Sequence, residues 1–265
     1  MEQAAQTQAP PNPVIDNARP VAFTHHPGEY KVKIDPARAW LRLNEVAIPA
    51  HAPVMDAPDP SEARAVDLLR SRLARQLRQD GVKKLAITAP TKACNAHRLA
   101  AQLALSLARQ VDLKVMLLDF DLRAPQLATH FGLSSVAPIW SALTGVRREF
   151  DSSCLKVGDN LALSLATQPG ETPAELLATT RSKALLDEIE HDFAPDLMLM
   201  NLPPVLSHDD AVSAAGLYDA ALLVARSDHT TRAEIDRTEA LISEQKPCLG
   251  VVLTHCRFVD EHASG

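Results

Sequence analysis

Residues 84–123 read KLAITAPTKACNAHRLAAQLALSLARQVDLKVMLLDFDLR and hold most of the side chains that could do chemistry. Between an apolar run at 85–88 and a helical pattern at 97–109 lies a polar loop with Thr91, Lys92, Ala93, Cys94, Asn95 and Ala96, and with His97 and Arg98 where the helix begins. A second apolar run, 115–118, ends in Asp119-Phe120-Asp121. Strand, loop, helix, strand is a right-handed βαβ unit, and its first loop lies at the carboxyl edge of a parallel sheet, where such folds bind ligands. The chemistry in question is therefore anion binding, and above all whether this loop can hold a phosphate. Lys92 is one candidate contact. His97 and Arg98 are others, although an unpartnered arginine at a helix start opposes the helix dipole by about 0.3–1 kcal/mol.

The elements that would position this loop follow from periodicity. A helix is expected over 61–79, with Val66, Leu69, Leu73 and Leu77 on one face, opened by Asp59-Pro60-Ser61-Glu62. Its arginines, Arg64, Arg70, Arg72, Arg75 and Arg78, lie mostly on the other faces, as a solvated surface or a subunit contact. In the βαβ helix, Leu99, Leu103 and Leu107 share a side. Short helices are expected at 124–133 and 138–145, a strand at 161–166, and one helix from Thr172-Pro173 to Phe193. The apolar strand 196–202 carries Asn201 and is followed by Pro203-Pro204. A brief helix at 209–216, a strand at 220–225, a helix at 230–244 and a last strand at 250–253 complete the alternation. The expected class is α/β: a doubly wound, mostly parallel sheet with helices on both faces.

Residues 1–60 read as a largely disordered or extended segment. Prolines 10, 11, 13 and 20 argue against regular structure, and 1–19 is expected to be disordered. Within it, 30–34 suits a short edge strand and 37–43 one or two helical turns carrying Trp40. His25-His26 lacks a third ligand nearby and reads as a solvated pair. The domain proper is 61–254, with 255–265 a short tail.

Bulk properties exclude several classes. The net charge of −6 gives no reason to expect nucleic acid as a partner. The four cysteines form no CxxC pair and read as reduced thiols of a cytoplasmic protein, with no metal site. No apolar run approaches the roughly 18 residues that span a bilayer. No secretory signal opens the chain, so any place at the inner membrane face would come through a partner.

Several stretches resemble the bacterial tyrosine kinases (BY-kinases) of capsule and exopolysaccharide export, a branch of the deviant-Walker P-loop ATPases that includes MinD and ParA. The most specific are LLDFDLRAPQLATHFGL (117–133), TPAELLATTRSKALLDEI (172–189) and LPPVLSHDDAVSAAGLYDAALLVARSDHTTRAEI (202–235). The resemblance implies a phosphate loop at 89–98, where the family reads like SPTPGEGKST. Ala93 and Asn95 stand at its glycines, Ala96 at the lysine that reaches the terminal phosphates, and His97 at the hydroxyl that holds magnesium. Asn201 stands at the Walker B aspartate. Asp119 and Asp121 of the second acidic motif are kept, either as vestiges of catalysis or as caps for the following loop, and Asp210 after the double proline is kept as well. Each lost charged contact is worth about 1.5–3 kcal/mol, so losing lysine and hydroxyl together removes about two to four orders of magnitude in affinity.

Two further departures bear on function. The family's Glu-x-x-Arg-x-x-Arg subunit-contact pattern is matched by Arg64, Asp67 and Arg70, in changed order. The family's tyrosine cluster has no counterpart, the only tyrosines being Tyr30 and Tyr218. The resemblance thus implies a catalytically degenerate pseudo-ATPase, with no cofactor expected beyond weak Mg·ATP. It would act as scaffold or regulator in exopolysaccharide export. Its partner would be the cytoplasmic segment of a membrane polysaccharide co-polymerase, an ATPase homologue, or further copies of itself. The alternatives are an active kinase or ATPase using Lys92, Asp119 and Asp121, and a MinD/ParA-like positioning module.

Overall fold

The computed structural model describes residues 35–55, 60–134, 138–146 and 150–256. The expectations for 1–34, including the His25-His26 pair and Tyr30, for the cap at Asp59 and for the tail beyond 256 lie outside the described residues.

In chain order the helices are α1 (Pro36–Arg42), α2 (Pro60–Asp80), α3 (Ala96–Ala108), α4 (Leu127–His130), α5 (Ile139–Leu143), α6 (Pro173–Leu177), α7 (Thr180–Phe193), α8 (Asp210–Ser213) and α9 (Arg232–Ser243). The strands are β1 (Asn44–Glu45), β2 (Lys84–Thr88), β3 (Val115–Asp119), β4 (Leu155–Val157), β5 (Leu161–Ser164), β6 (Leu197–Asn201), β7 (Ala220–Arg226) and β8 (Cys248–Thr254). They form one sheet in the order β1-β4-β5-β3-β6-β2-β7-β8. Every described pairing is parallel except β4 with β5. The doubly wound α/β expectation holds, since a continuous apolar strand is stable only when helices cover both faces.

The pleat divides the core in two. Met116, Leu118, Met198 and Met200 point to one side, with Leu186, Ile189 and Phe193 of α7. Leu85, Ile87, Leu117 and Leu199 point to the other, with Leu73 and Leu77 of α2 and Leu99, Leu103 and Leu107 of α3. This is the period-two signature of a strand buried on both faces.

Three local expectations change. The single helix over 172–193 is two. Thr179 has extended backbone (ψ 152°), and its Oγ1 accepts the Ser182 N–H at 3.1 Å, so it starts α7 afresh. The 124–133 helix shrinks to α4 because Gln126 (φ −130°) still lies outside it, while Gly132, left-handed at φ 67°, gives the expected stop. The 209–216 helix ends at Ser213 and continues as a tighter 3₁₀ turn over Ala214–Leu217. The helical turns expected at 37–43 form as α1, which packs on the body through Trp40, 5% exposed, whose Nε1 donates to the Phe193 carbonyl at 2.8 Å.

Candidate functional site

The carboxyl ends of β2, β3 and β6 meet at one edge, since β6 lies between the other two. This places the loop after β2, Asp119 at the end of β3 and Asn201 at the end of β6 together. The first arm of the loop is tied to the chain after β6. Thr88 Oγ1 donates to the Pro203 carbonyl (2.7 Å), and the N–H groups of Val205 and Leu206 donate to the carbonyls of Ala89 (2.9 Å) and Pro90 (3.2 Å).

Lys92–Cys94 then form a single 3₁₀ turn. The Cys94 N–H donates to the Thr91 carbonyl (3.2 Å) and the Asn95 N–H to the Lys92 carbonyl (3.3 Å). Asn95 is left-handed (φ 53°, ψ 45°), a conformation asparagine tolerates better than most residues. From outside, Arg226 Nη1 donates to the Ala93 carbonyl (3.3 Å), and Thr230 Oγ1 lies 3.3 Å from Cys94 Sγ. Two N–H groups that a phosphate cradle would turn toward its ligand thus have partners inside the loop. All four cysteines are free thiols.

The carboxylates are also engaged. Asp119 is fully buried, and its Oδ1 accepts the Asn201 amide at 2.9 Å and the Asp121 N–H at 3.3 Å. Burial pushes its pKa up to about 7. Its other oxygen, Oδ2, is buried with no hydrogen-bond partner. Asp121, half-buried, accepts the Ala124 N–H at 3.1 Å, and burial raises its pKa too. Asp210, at 0% exposure, receives a two-pronged bond from Arg123, Nε to Oδ2 and Nη2 to Oδ1, both at 2.8 Å.

At the start of α3, Ala96 is buried and His97 stacks edge-on against His130 with ring centroids 5.7 Å apart. Burial, then the positive neighbours His130, Lys92 and Arg98, hold the His97 pKa down to about 4, so its imidazole is neutral at pH 7. Arg98 pairs with Glu62 of α2 at 3.3 Å. What remains between loop and acids is a cavity of about 20 Å³, lined by Thr91, Lys92, His97, Asp121, Gln126 and Asn201 among others. That is room for roughly one water. Among the described residues no cluster of His, Cys, Asp or Glu is arranged to hold a metal.

No protein-family profile matches the chain. EpsB of Ralstonia solanacearum, named as a tyrosine-protein kinase, is 28% identical over 181 residues, 68% of this chain and 24% of EpsB. The tyrosine-protein kinase YwqD of Bacillus subtilis is 28% identical over 175 residues, 65% of this chain and 72% of YwqD. The kinase domain of the Escherichia coli tyrosine kinase Etk superposes with a TM-score of 0.67 at 24% identity, over 82% of this chain and 84% of that domain. This chain is a relative of the bacterial tyrosine kinases. Its fold is the P-loop NTPase fold. It spans about a quarter of the length of EpsB.

Set against the BY-kinase pattern, the edge gathers every expected loop residue from Thr91 to Arg98, together with Asp119, Asp121 and Asn201. The subunit-contact candidates lie elsewhere, on α2. Asp67 accepts from Ser106 Oγ at 2.7 Å and from Arg109, and Arg70 donates to the Ser106 carbonyl at 3.3 Å. Both knit α2 to α3 within the chain, while Arg64 is exposed. Sequence reasoning did not anticipate the Arg123–Asp210 pair, the Arg226 clamp on Ala93 or the Arg98–Glu62 bridge. Their partners stand 87, 133 and 36 residues apart, and no local pattern reports such pairings. The kept Asp210 inside an otherwise family-like stretch was the one available signal.

Proposed function

We propose that this chain is a catalytically degenerate BY-kinase relative that serves as a scaffold or regulator of exopolysaccharide or capsule synthesis. Its partner is the cytoplasmic segment of a membrane polysaccharide co-polymerase or an ATPase homologue. The observation that carries the reading is the direct Asn201–Asp119 hydrogen bond at 2.9 Å. A neutral amide here takes the lone pair that a magnesium-bound water would otherwise engage.

The residues present do not fit Mg·ATP. The lysine position is the methyl group of Ala96, the hydroxyl position is a neutral imidazole, and the loop N–H groups of Cys94 and Asn95 already have acceptors. Such a site lacks what phosphoryl transfer depends on, positioning and charge stabilisation. Tyr218, one of two tyrosines, is 2% exposed and so a poor phosphate acceptor. Among the described residues no helix is long and apolar enough to cross a membrane.

Calorimetric titration with Mg·ATP, with phosphate release measured in parallel, tests the reading. Heat changes too small to fit and no turnover are expected; micromolar binding or sustained turnover overturns it. One observation favours an active site: Lys92 lines the same cavity as Asp121 and Asn201. On that reading Asp119→Ala abolishes phosphate release.

A further inference from the structure

The inner face of α2 is committed to α3 through Glu62, Asp67 and Arg70. Its outer face is of another kind. Arg64, Arg72, Arg75 and Arg78 are all exposed. At 3.6 residues per turn they fall within an arc of about 120° and extend over about 21 Å of helix. Leu68, 55% exposed, lies in the same arc. Among the described residues none of the four arginines forms an ion pair with a carboxylate; the α2 pairs involve Glu62, Asp67 and Arg70 instead. An unneutralised ridge of four guanidinium groups on a chain of net charge −6 is a local reversal of sign.

The ridge leads into an apolar hollow. Arg78 lines a cavity of about 540 Å³ whose walls include Leu77, Val82, Leu107 and Val111, the last 84% exposed. Of the two acids lining it, Asp196 accepts the Lys114 N–H at 2.7 Å, and Asp112 is exposed. Cations beside an apolar recess match an amphiphile with an anionic head. A straight, convex ridge suits a flat array of charges better than a single extended peptide, which needs a groove along its length.

We propose that the outer face of α2 docks directly on an anionic phospholipid surface, with Arg64, Arg72, Arg75 and Arg78 on the headgroup phosphates and the recess beside Arg78 taking apolar lipid. This contact is independent of the nucleotide edge and needs no membrane partner protein. The full chain is tested by co-sedimentation with vesicles of phosphatidylglycerol in phosphatidylethanolamine, against vesicles of phosphatidylcholine alone. Binding is expected to the first and not the second, and to fall steeply from about 50 to about 300 mM NaCl. Each arginine near such a surface contributes about fivefold to partitioning, so Arg72→Gln with Arg75→Gln should weaken binding about 25-fold. Arg232→Gln with Arg237→Gln, the same charge change on α9, should leave it within about twofold.

Three outcomes overturn the proposal: no sedimentation with anionic vesicles at low salt, equal sedimentation with phosphatidylcholine, or equal losses from the two double variants. A fourth is a fall in oligomer mass by analytical ultracentrifugation in the α2 variant with vesicle binding unchanged. That result assigns the ridge to contacts between copies of the chain.

Discussion

Replacing Asn201 by aspartate changes one atom group at the centre of the closed edge and has a calculable cost. In the native chain the Asn201 amide donates 2.9 Å to Asp119, and the two residues are 2% and 0% exposed. Aspartate at 201 removes the donor and brings a second carboxylate to the same distance. Two full charges there would repel by about 6 kcal/mol at an effective dielectric of about 20. Sharing one proton relieves most of this and leaves a net loss of about 2–4 kcal/mol at about pH 8, near the worth of the hydrogen bond plus the unpaired acceptor. For a chain of this size that lowers Tm by about 5–15 °C. The pH dependence carries the sharper signature. Asp119 has a folded pKa of about 7, above its ordinary value. The folded state therefore binds that proton more tightly than the unfolded one, and its contribution to stability is complete below about pH 4 and is lost as pH rises through about 7. In Asn201→Asp the coupled pair titrates higher, so the deficit relative to wild type should grow from pH 5 to pH 8. Urea midpoints across that range read it directly. A deficit independent of pH, or a variant as stable as wild type at pH 8, refutes the argument that the amide is what holds the buried carboxylate.

Other perturbations test neighbouring contacts. Arg123→Met leaves Asp210 buried without its two-pronged partner and should cost about 3–5 kcal/mol in urea denaturation; Arg123→Lys should recover less than half, since an ammonium cannot reproduce the fork. His97, held neutral down to about pH 4, contributes stability that is present above about pH 6.5 and lost as pH falls toward 4. His97→Gln should therefore flatten the acid limb of the stability profile, and an unchanged limb would place the acid sensitivity elsewhere. Trp40→Phe keeps one aromatic ring but loses the rest of the indole and its donor to the Phe193 carbonyl, for an expected loss of at least about 1–3 kcal/mol. Hydrogen exchange should then open α1 ahead of the sheet.

Periodicity made the sheet legible, because β2, β3, β6 and β7 are apolar on both faces and each is flanked by helix or turn signals. The margins were not. β4 and β1 are three and two residues long, too short to show a period, and β4 runs antiparallel to β5 only because a hairpin-like return brings Leu155 opposite Leu163. The candidate site was legible as a list of positions, since the resemblance aligns the loop residue by residue. What each residue does there was not. Asp119 and Asp121 read equally well as remnants of a magnesium site or as caps, and Asp210 carried no assigned role. The geometry gives each a partner inside the chain: the Asn201 amide, the Ala124 N–H and the Arg123 guanidinium. On the proposed reading, those bonds give a physical reason for a carboxylate to persist without a metal partner. Removing Asp210 strands an arginine and removing Asp121 uncaps a loop, whereas a lysine that reached only toward a ligand holds nothing else in place. A chain that no longer bound the triphosphate would be expected to lose the residues that touch only the ligand, here the lysine at Ala96, the hydroxyl at His97 and the glycines at Ala93 and Asn95, and to keep those whose loss would also unfold the edge.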